Sequence, residues 1–156
     1  MKTGYRVRDV MTNKPIIVDP DCSVIDAAKI MRTHNVNSLI ITKNKEAVGI
    51  VTDEDFVRKI VAKGEDFKKI KIREVMEKKL ITIGPDQDIY HALILMRDNN
   101  IRQLPVLEKN KMIGFLTMKD ILKIEPELFD IIVEKYELRE ESRKPIFTIR
   151  SDEDQI

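Results

Sequence analysis

Two short stretches carry the side chains best placed to do chemistry: Thr52-Asp53-Glu54-Asp55 and Thr117-Met118-Lys119-Asp120. Each sets a hydroxyl three residues before a carboxylate, behind an apolar run led by glycine (Gly49-Ile50-Val51 and Gly114-Phe115-Leu116). Two uses are open. In a capping box the Thr oxygen accepts a bond from a backbone N–H of the first helical turn, and the side chain three residues on accepts one from the cap residue's own N–H. A carboxylate there also suits the helix dipole. Capping boxes usually carry Glu or Gln, however, and the shorter Asp reaches back less well and can turn outward. An outward carboxylate can accept both hydroxyls of a ribose diol. The adjoining Thr hydroxyl and helix N-terminus favour a phosphate or another anionic group.

The other reactive side chains form no comparable group. His34 and His91 lie apart in sequence and read as structural or surface residues. Cys22 sits at a helix start, where a thiol pKa can fall, but no His or second Cys stands near it in sequence. There is no Gly-rich phosphate loop, nucleophile elbow or His-Glu-x-x-His. An enzyme, a metal site and a catalytic cofactor are therefore not expected.

Composition narrows the partners. With 28 basic against 27 acidic residues the formal net charge is +1, so no global field draws the chain to nucleic acid or membrane. Aromatic residues make up only 5%, which also argues against nucleic acid, and the local run Lys68-Lys69-Lys71-Arg73 with Lys78-Lys79 reads as a solvated face. Apolar runs such as Ala92–Met96 are too short to span a bilayer. The opening residues lack the apolar stretch of a signal peptide, and a single cysteine allows no intrachain disulfide. A cytoplasmic protein is expected, and the 35% charged content leans towards a thermophile.

The elements that would position the two Thr-x-x-Asp stretches occur twice. Arg8–Asp55 aligns without a gap on Arg73–Asp120, and 15 of the 48 aligned pairs are identical, so the chain holds two copies of one small unit. One unit of this size is marginal alone, which predicts a fused pair sharing one core. In each copy a short β-branched run (Pro15–Val18; Leu80–Ile83) reads as a strand. Pro20-Asp-Cys-Ser23 and Pro85-Asp-Gln-Asp88 offer N-caps for an amphipathic helix. Its apolar positions are Val24, Ala27, Ala28, Ile30 and Met31, or Ile89, Ala92, Leu93, Leu95 and Met96. The helix ends near Asn35 or Asn100, a residue suited to a left-handed C-terminus. A hairpin follows (Ser38–Thr42 with Val48–Val51; Gln103–Leu107 with Ile113–Leu116), and then a second helix over Phe56–Ala62 or Ile121–Ile124. Met11, Met31, Met76 and Met96 recur at the repeat offset and read as core filler.

The doubled Gly-apolar-apolar-Thr-x-x-Asp ending, the Val-Met openings at Val10-Met11 and Val75-Met76, the Pro-Asp helix starts and Ile101-Arg-Gln-Leu-Pro-Val106 together resemble the CBS domain. The tandem resembles a CBS pair, also called a Bateman module, of the stand-alone archaeal type. The resemblance implies an α/β (α+β) fold of two β-α-β-β-α repeats in a pseudo-two-fold pair. The expected domains are residues 7–62 and 72–124, joined by a linker at 63–71 and followed by a helical extension and tail at 125–156. It also implies two clefts shared between copies, in which the Asp holds ribose and apolar residues sandwich a purine. Carried over residue by residue, Thr52 and Asp55 should face Ile81, Ile101, Arg102 and Gln103. Thr117, Lys119 and Asp120 should face Ile16, Val36, Asn37 and Ser38. Arg102 stands where the first copy has Asn37. Arg102 is open to two readings, a surface charge or ion-pair partner and a guanidinium that clamps a phosphate in bidentate fashion. On the second, the Asp55 cleft is expected to favour phosphorylated nucleotides, and the Asp120 cleft a nucleoside or S-adenosylmethionine-like ligand, or only weak binding.

The leading expectation is thus a regulatory module that binds an adenosyl ligand (AMP, ADP, ATP or an S-adenosylmethionine-like molecule) and modulates a partner. By the same resemblance two pairs would form a homodimeric disc of four domains. The alternative is a structural dimer with empty clefts whose C-terminal helix docks a partner protein. That helix is expected from Pro126 to Leu138, with Leu128, Ile131, Ile132, Tyr136 and Leu138 on one side to pack on the pair or on a dimer mate or, second, to dock another protein. A charged stretch at 139–144 and a short strand or extended arm at 145–149 follow.

Overall fold

The computed structural model describes residues 1–133, and Tyr136, Leu138 and the segments 139–144 and 145–149 lie outside the described residues. Each copy carries a short N-terminal helix, a first strand segment, a long helix, a hairpin and a closing helix. In the first these are α1 (Val7–Val10), β1 (Ile17–Val18), α2 (Val24–His34), β2 (Ser38–Lys43), β3 (Glu46–Thr52) and α3 (Asp53–Phe56). Helix α3 runs on into a π turn, Val57–Val61. In the second they are α4 (Ile72–Val75), α5 (Ile89–Asn99), β4 (Gln103–Glu108), β5 (Lys111–Thr117) and α6 (Met118–Ile124).

Local chemistry sets most of these boundaries. Ser23 Oγ accepts from the Asp26 N–H at 3.0 Å, and Asp88 Oδ1 from the Tyr90 N–H at 2.8 Å, starting α2 and α5. Both helices end on an asparagine in the left-handed region, Asn35 at φ 52° and Asn100 at φ 57°. The hairpins turn on Asn44-Lys45 and Lys109-Asn110, all four at positive φ, the geometry whose twist matches that of the flanking strands. The closing helices begin at Asp53 and Met118, earlier than the apolar pattern indicates, because Thr52 and Thr117 are their caps.

The first sheet is β1-β2-β3, with β1 parallel to β2. The second is only β4-β5. The strand expected over Leu80–Ile83 is reduced to a bridge between Ile83 and Val106. Proline explains the difference. In the first copy the Ile40 N–H donates to the Ile16 carbonyl at 3.2 Å. The residue equivalent to Ile40 is Pro105, which has no N–H to offer.

The pair does not merge into the single core that its size suggested. Two clusters form, one around Leu39, Ile41 and Val51, the other around Leu93, Leu104 and Leu116. Each is closed by the opening segment of the other copy. Val7, with no exposed surface, lies in the second copy's cluster, and Ile72, equally buried, lies in the first copy's. The exchange is reciprocal in its hydrogen bonds. The Val7 and Arg8 N–H groups donate to the carbonyls of Gln87 (2.8 Å) and Pro85 (2.9 Å), those of Ile72 and Arg73 to Cys22 (2.8 Å) and Pro20 (3.0 Å). Arg8 pairs with Asp86 and Arg73 with Asp21. Burying one such apolar side chain contributes about 1.5–3 kcal/mol.

The glycine of the repeated motif follows from this exchange. Beyond α4 the chain crosses β3, where Ile50 and Glu77 exchange both backbone hydrogen bonds (3.0 and 2.8 Å). A Cβ on Gly49 would lie 2.6 Å from Met76 Sδ and 3.1 Å from the Glu77 carbonyl oxygen. On Gly114 it would strike Met11 in the same way. The thioether can swing aside but the paired carbonyl cannot, so Gly49→Ala should destabilise the protein by about 1–3 kcal/mol, the usual cost of overpacking. Urea denaturation checks this, and an unchanged midpoint would show that the crossing segment can lift off.

The second core also runs past the expected boundary at Ile124. Residues 126–128 form a 3-10 turn and residues 129–133 are helical. Leu128 and Ile132, 5% and 3% exposed, belong to the cluster.

Candidate functional site

The exchange of openers also builds a cleft. After α1 the chain runs beside β5, with Thr12 and Phe115 trading backbone hydrogen bonds at 2.8 and 2.9 Å, and then crosses to enter β1. It thereby carries Thr12, Lys14, Pro15 and Ile16 past the end of β5. The left-handed Asn35 turns the chain from α2 towards β2 and brings Val36, Asn37 and Ser38 to the opposite wall. The space between measures about 600 Å³, and Thr117, Lys119 and Asp120 border it where β5 gives way to α6. All seven residues expected in this cleft (Ile16, Val36, Asn37, Ser38, Thr117, Lys119 and Asp120) are brought together there.

Thr12, Lys14, Asn35, Asp53 and Phe115 also line it and were missed from sequence. Thr12, Lys14 and Phe115 depend on the exchange, which no local pattern reports. Asp53 had a legible signal, since it lies within the first copy's own Thr52–Asp55 motif; in the structure its N–H donates to the Asn37 carbonyl at 3.0 Å.

The capping use considered for the aspartate is realised in Asp120. Its Oδ2 accepts from the Thr117 N–H at 2.9 Å and the Thr117 hydroxyl at 2.7 Å. Its own N–H donates to Thr117 Oγ1 at 3.2 Å, completing the capping box. Its Oδ1 has no hydrogen bond or ion pair among the described residues. The carboxylate is thus fixed by one oxygen and half-exposed to the cleft with the other. Lys14 and Lys119 are exposed and make no ion pair among the described residues, and Asp53 supplies a second negative charge.

Asp55 is placed differently. Its Oδ2 accepts from the Thr52 N–H at 2.9 Å and more loosely from the Thr52 hydroxyl at 3.4 Å, while Oδ1 pairs with Lys59 Nζ at 3.0 Å. Ile81 and Ile101 pack half-buried against the second core, and Gln103 opens β4 opposite Thr117. Arg102 pairs with Glu54, the residue just before Asp55, and makes no ion pair with Asp55 itself. Its guanidinium lies 3.2 Å from Glu54 and borders a separate space of about 410 Å³ with Asn37, Asp53, Glu54, Val57 and Arg58. Neither Thr52 nor Asp55 borders that space. Both side chains of the Arg102–Glu54 pair are more than half exposed, and such a pair contributes about 0–1 kcal/mol.

Burial pushes the Cys22 thiol up, and the charges of Asp26 and Asp19 push it further, so a low-pKa nucleophile is not present there. His34 and His91 are both exposed. No helix among the described residues is long and apolar enough to cross a membrane. No group of His, Cys, Asp or Glu among them is arranged to hold a metal.

A family model for the CBS domain matches residues 7–62 and again residues 72–127. An uncharacterised protein of Methanopyrus kandleri, MK0525, is 37% identical over 130 residues, covering 82% of this chain and 64% of that protein. The mitochondrial CBS domain-containing protein CBSX3 of Arabidopsis thaliana is 36% identical over 129 residues, covering 75% of this chain and 63% of that protein. The chain therefore spans just under two thirds of the length of these two relatives. Among solved structures, the CBS domain pair of MJ0100 in complex with 5′-methylthioadenosine and S-adenosyl-L-methionine superposes with a TM-score of 0.70 at 32% identity. It covers 77% of this chain and 94% of that one.

Proposed function

The chain belongs to the CBS-domain family as a tandem pair, and from that premise we propose that it is a regulatory module whose ligand contains adenosine and binds in the cleft of Thr117 and Asp120. The observation that carries the reading is the half-committed carboxylate of Asp120. A group held in place by a backbone cap, with an unpaired oxygen turned to a cleft of about 600 Å³, is pre-organised to accept the hydroxyls of a ribose. Ile16 and Val36 offer apolar surface for a purine face, and Asn37 and the buried Ser38 offer polar groups beside it. Lys14 and Lys119 give an anionic substituent two cations to meet. The adenosine ligands in the MJ0100 pair support the same ligand class.

The function is binding and signalling without catalysis. Ligand occupancy joins the two copies across the cleft and so alters the surface offered to a partner or to a second copy. On the first copy, an apolar groove of about 360 Å³ lined by Val24, Ile25, Ala28, Phe56, Ile60, Val61 and Phe67 is the face that self-association into a disc of two pairs would cover. Calorimetric titration of adenosine, AMP, ADP, ATP and S-adenosylmethionine into the protein tests the reading. Heat from at least one, with AMP tighter than adenosine if Lys14 and Lys119 meet its phosphate, is the expected result. Silence from all five would leave a structural dimer, with the apolar groove as its working surface.

A further inference from the structure

The two copies differ at one position that decides whether their aspartates are available. Lys59 lies four residues after Asp55, and the residue four after Asp120 is Ile124. Lys59 Nζ stands 3.0 Å from Asp55 Oδ1 and donates to the Val75 carbonyl at 2.7 Å, so the ammonium is held from two sides. With Oδ2 engaged by Thr52, both oxygens of Asp55 are used inside the protein, and its side chain is only 19% exposed. The residue just before Asp55 ties the copies together by the 3.2 Å Glu54–Arg102 pair. The equivalent residues, Lys119 and Asn37, cannot form such a pair.

We infer that Lys59 is a built-in occupant of Asp55, the first copy's counterpart of Asp120, so that the pair binds one adenosine ligand per chain, at Asp120. A ligand entering at Asp55 has to displace a charge-assisted bond and leave the Val75 carbonyl without its partner, whereas one entering at Asp120 displaces only solvent. This rests on the function proposed above and assigns its site to one copy.

The probes are AMP and S-adenosylmethionine, titrated calorimetrically into the wild type, Asp120→Ala, Lys59→Met and the double variant, with melting curves for each. The wild type should bind one molecule per chain and Asp120→Ala none. Lys59→Met, which keeps most of the side chain's length without its charge, should bind two. The decisive result is the double variant, in which binding returns at one per chain where Asp120→Ala alone shows none. Lys59→Ile, which copies the second repeat, provides a second route to the same result. Two molecules per wild-type chain would overturn the inference, as would a folded double variant that stays silent. Silence of the wild type and of Lys59→Met alike would instead remove the proposed function, and this inference with it.

Discussion

Asp120→Ala is expected to abolish ligand binding while leaving the protein folded. The free Oδ1 has lone pairs for two hydrogen bonds from a ribose diol. Hydrogen bonds to a charged group contribute about 1.5–3 kcal/mol each. Losing two costs about 3–6 kcal/mol, or roughly a hundred- to ten-thousand-fold in affinity. The same substitution also removes the cap that Oδ2 makes on Thr117. Loss of a cap costs about 0.5–2 kcal/mol, which for a domain of this size lowers the melting point by several degrees at most. The two roles are therefore separable by magnitude in one pair of measurements, calorimetric affinity and thermal melting. A lower melting point with unchanged affinity would make Asp120 a cap and nothing more.

The capping and ligand readings of Thr-x-x-Asp looked like alternatives from the residues alone, and the geometry shows why they are not. A carboxylate has two oxygens, and the short Asp side chain engages its own helix cap with one of them. What separates the copies is the residue four positions on. That difference was legible, since Asp55 followed by Lys59 is an i,i+4 acid–base pair in the favoured orientation and Asp120 followed by Ile124 is not. The element order and the asparagine helix ends were also readable, because each repeats at a fixed offset, whereas the grouping of residues into the Asp120 cleft came from the resemblance to the CBS domain. The exchange of openers was not readable. The burial of Val7 in the second core and of Ile72 in the first depends on where the chain returns many residues later, and no periodicity carries that information. The two separate cores, the need for Gly49 and Gly114 and the presence of Thr12 and Lys14 in the cleft all depend on it. Arg102 could be read from its type as a phosphate clamp or as an ion-pair partner, and in the structure Glu54 of the first copy pairs with it.

Removing residues 125–156 is expected to weaken the second copy severely, although the repeated motif ends before that segment. Leu128 and Ile132 are buried to 5% and 3% exposure in the cluster that includes Leu93, Leu104 and Ile121. Two buried aliphatic side chains of this size contribute about 1.5–3 kcal/mol each, or about 3–6 kcal/mol together. The whole stability of a protein of this kind is only about 5–15 kcal/mol. The truncated chain should therefore unfold at a much lower urea concentration than the full chain. It should also expose the half-buried apolar surface of Tyr90, Leu122 and Ile113 that packs against the same cluster. Ligand binding should suffer with it, because Asp120 is held by α6, and Ile121, the next residue along that helix, is fully buried in the weakened core. Urea denaturation of the full and truncated chains, followed by titration of AMP into both, tests this. A truncated protein within about 1 kcal/mol of the full chain would show that Leu128 and Ile132 add little to the core despite their burial. Affinity lost together with stability would tie the integrity of the Asp120 cleft to a segment outside the repeat. The second copy would then depend on two elements that its own repeat does not supply, α1 from the start of the chain and the segment after Ile124.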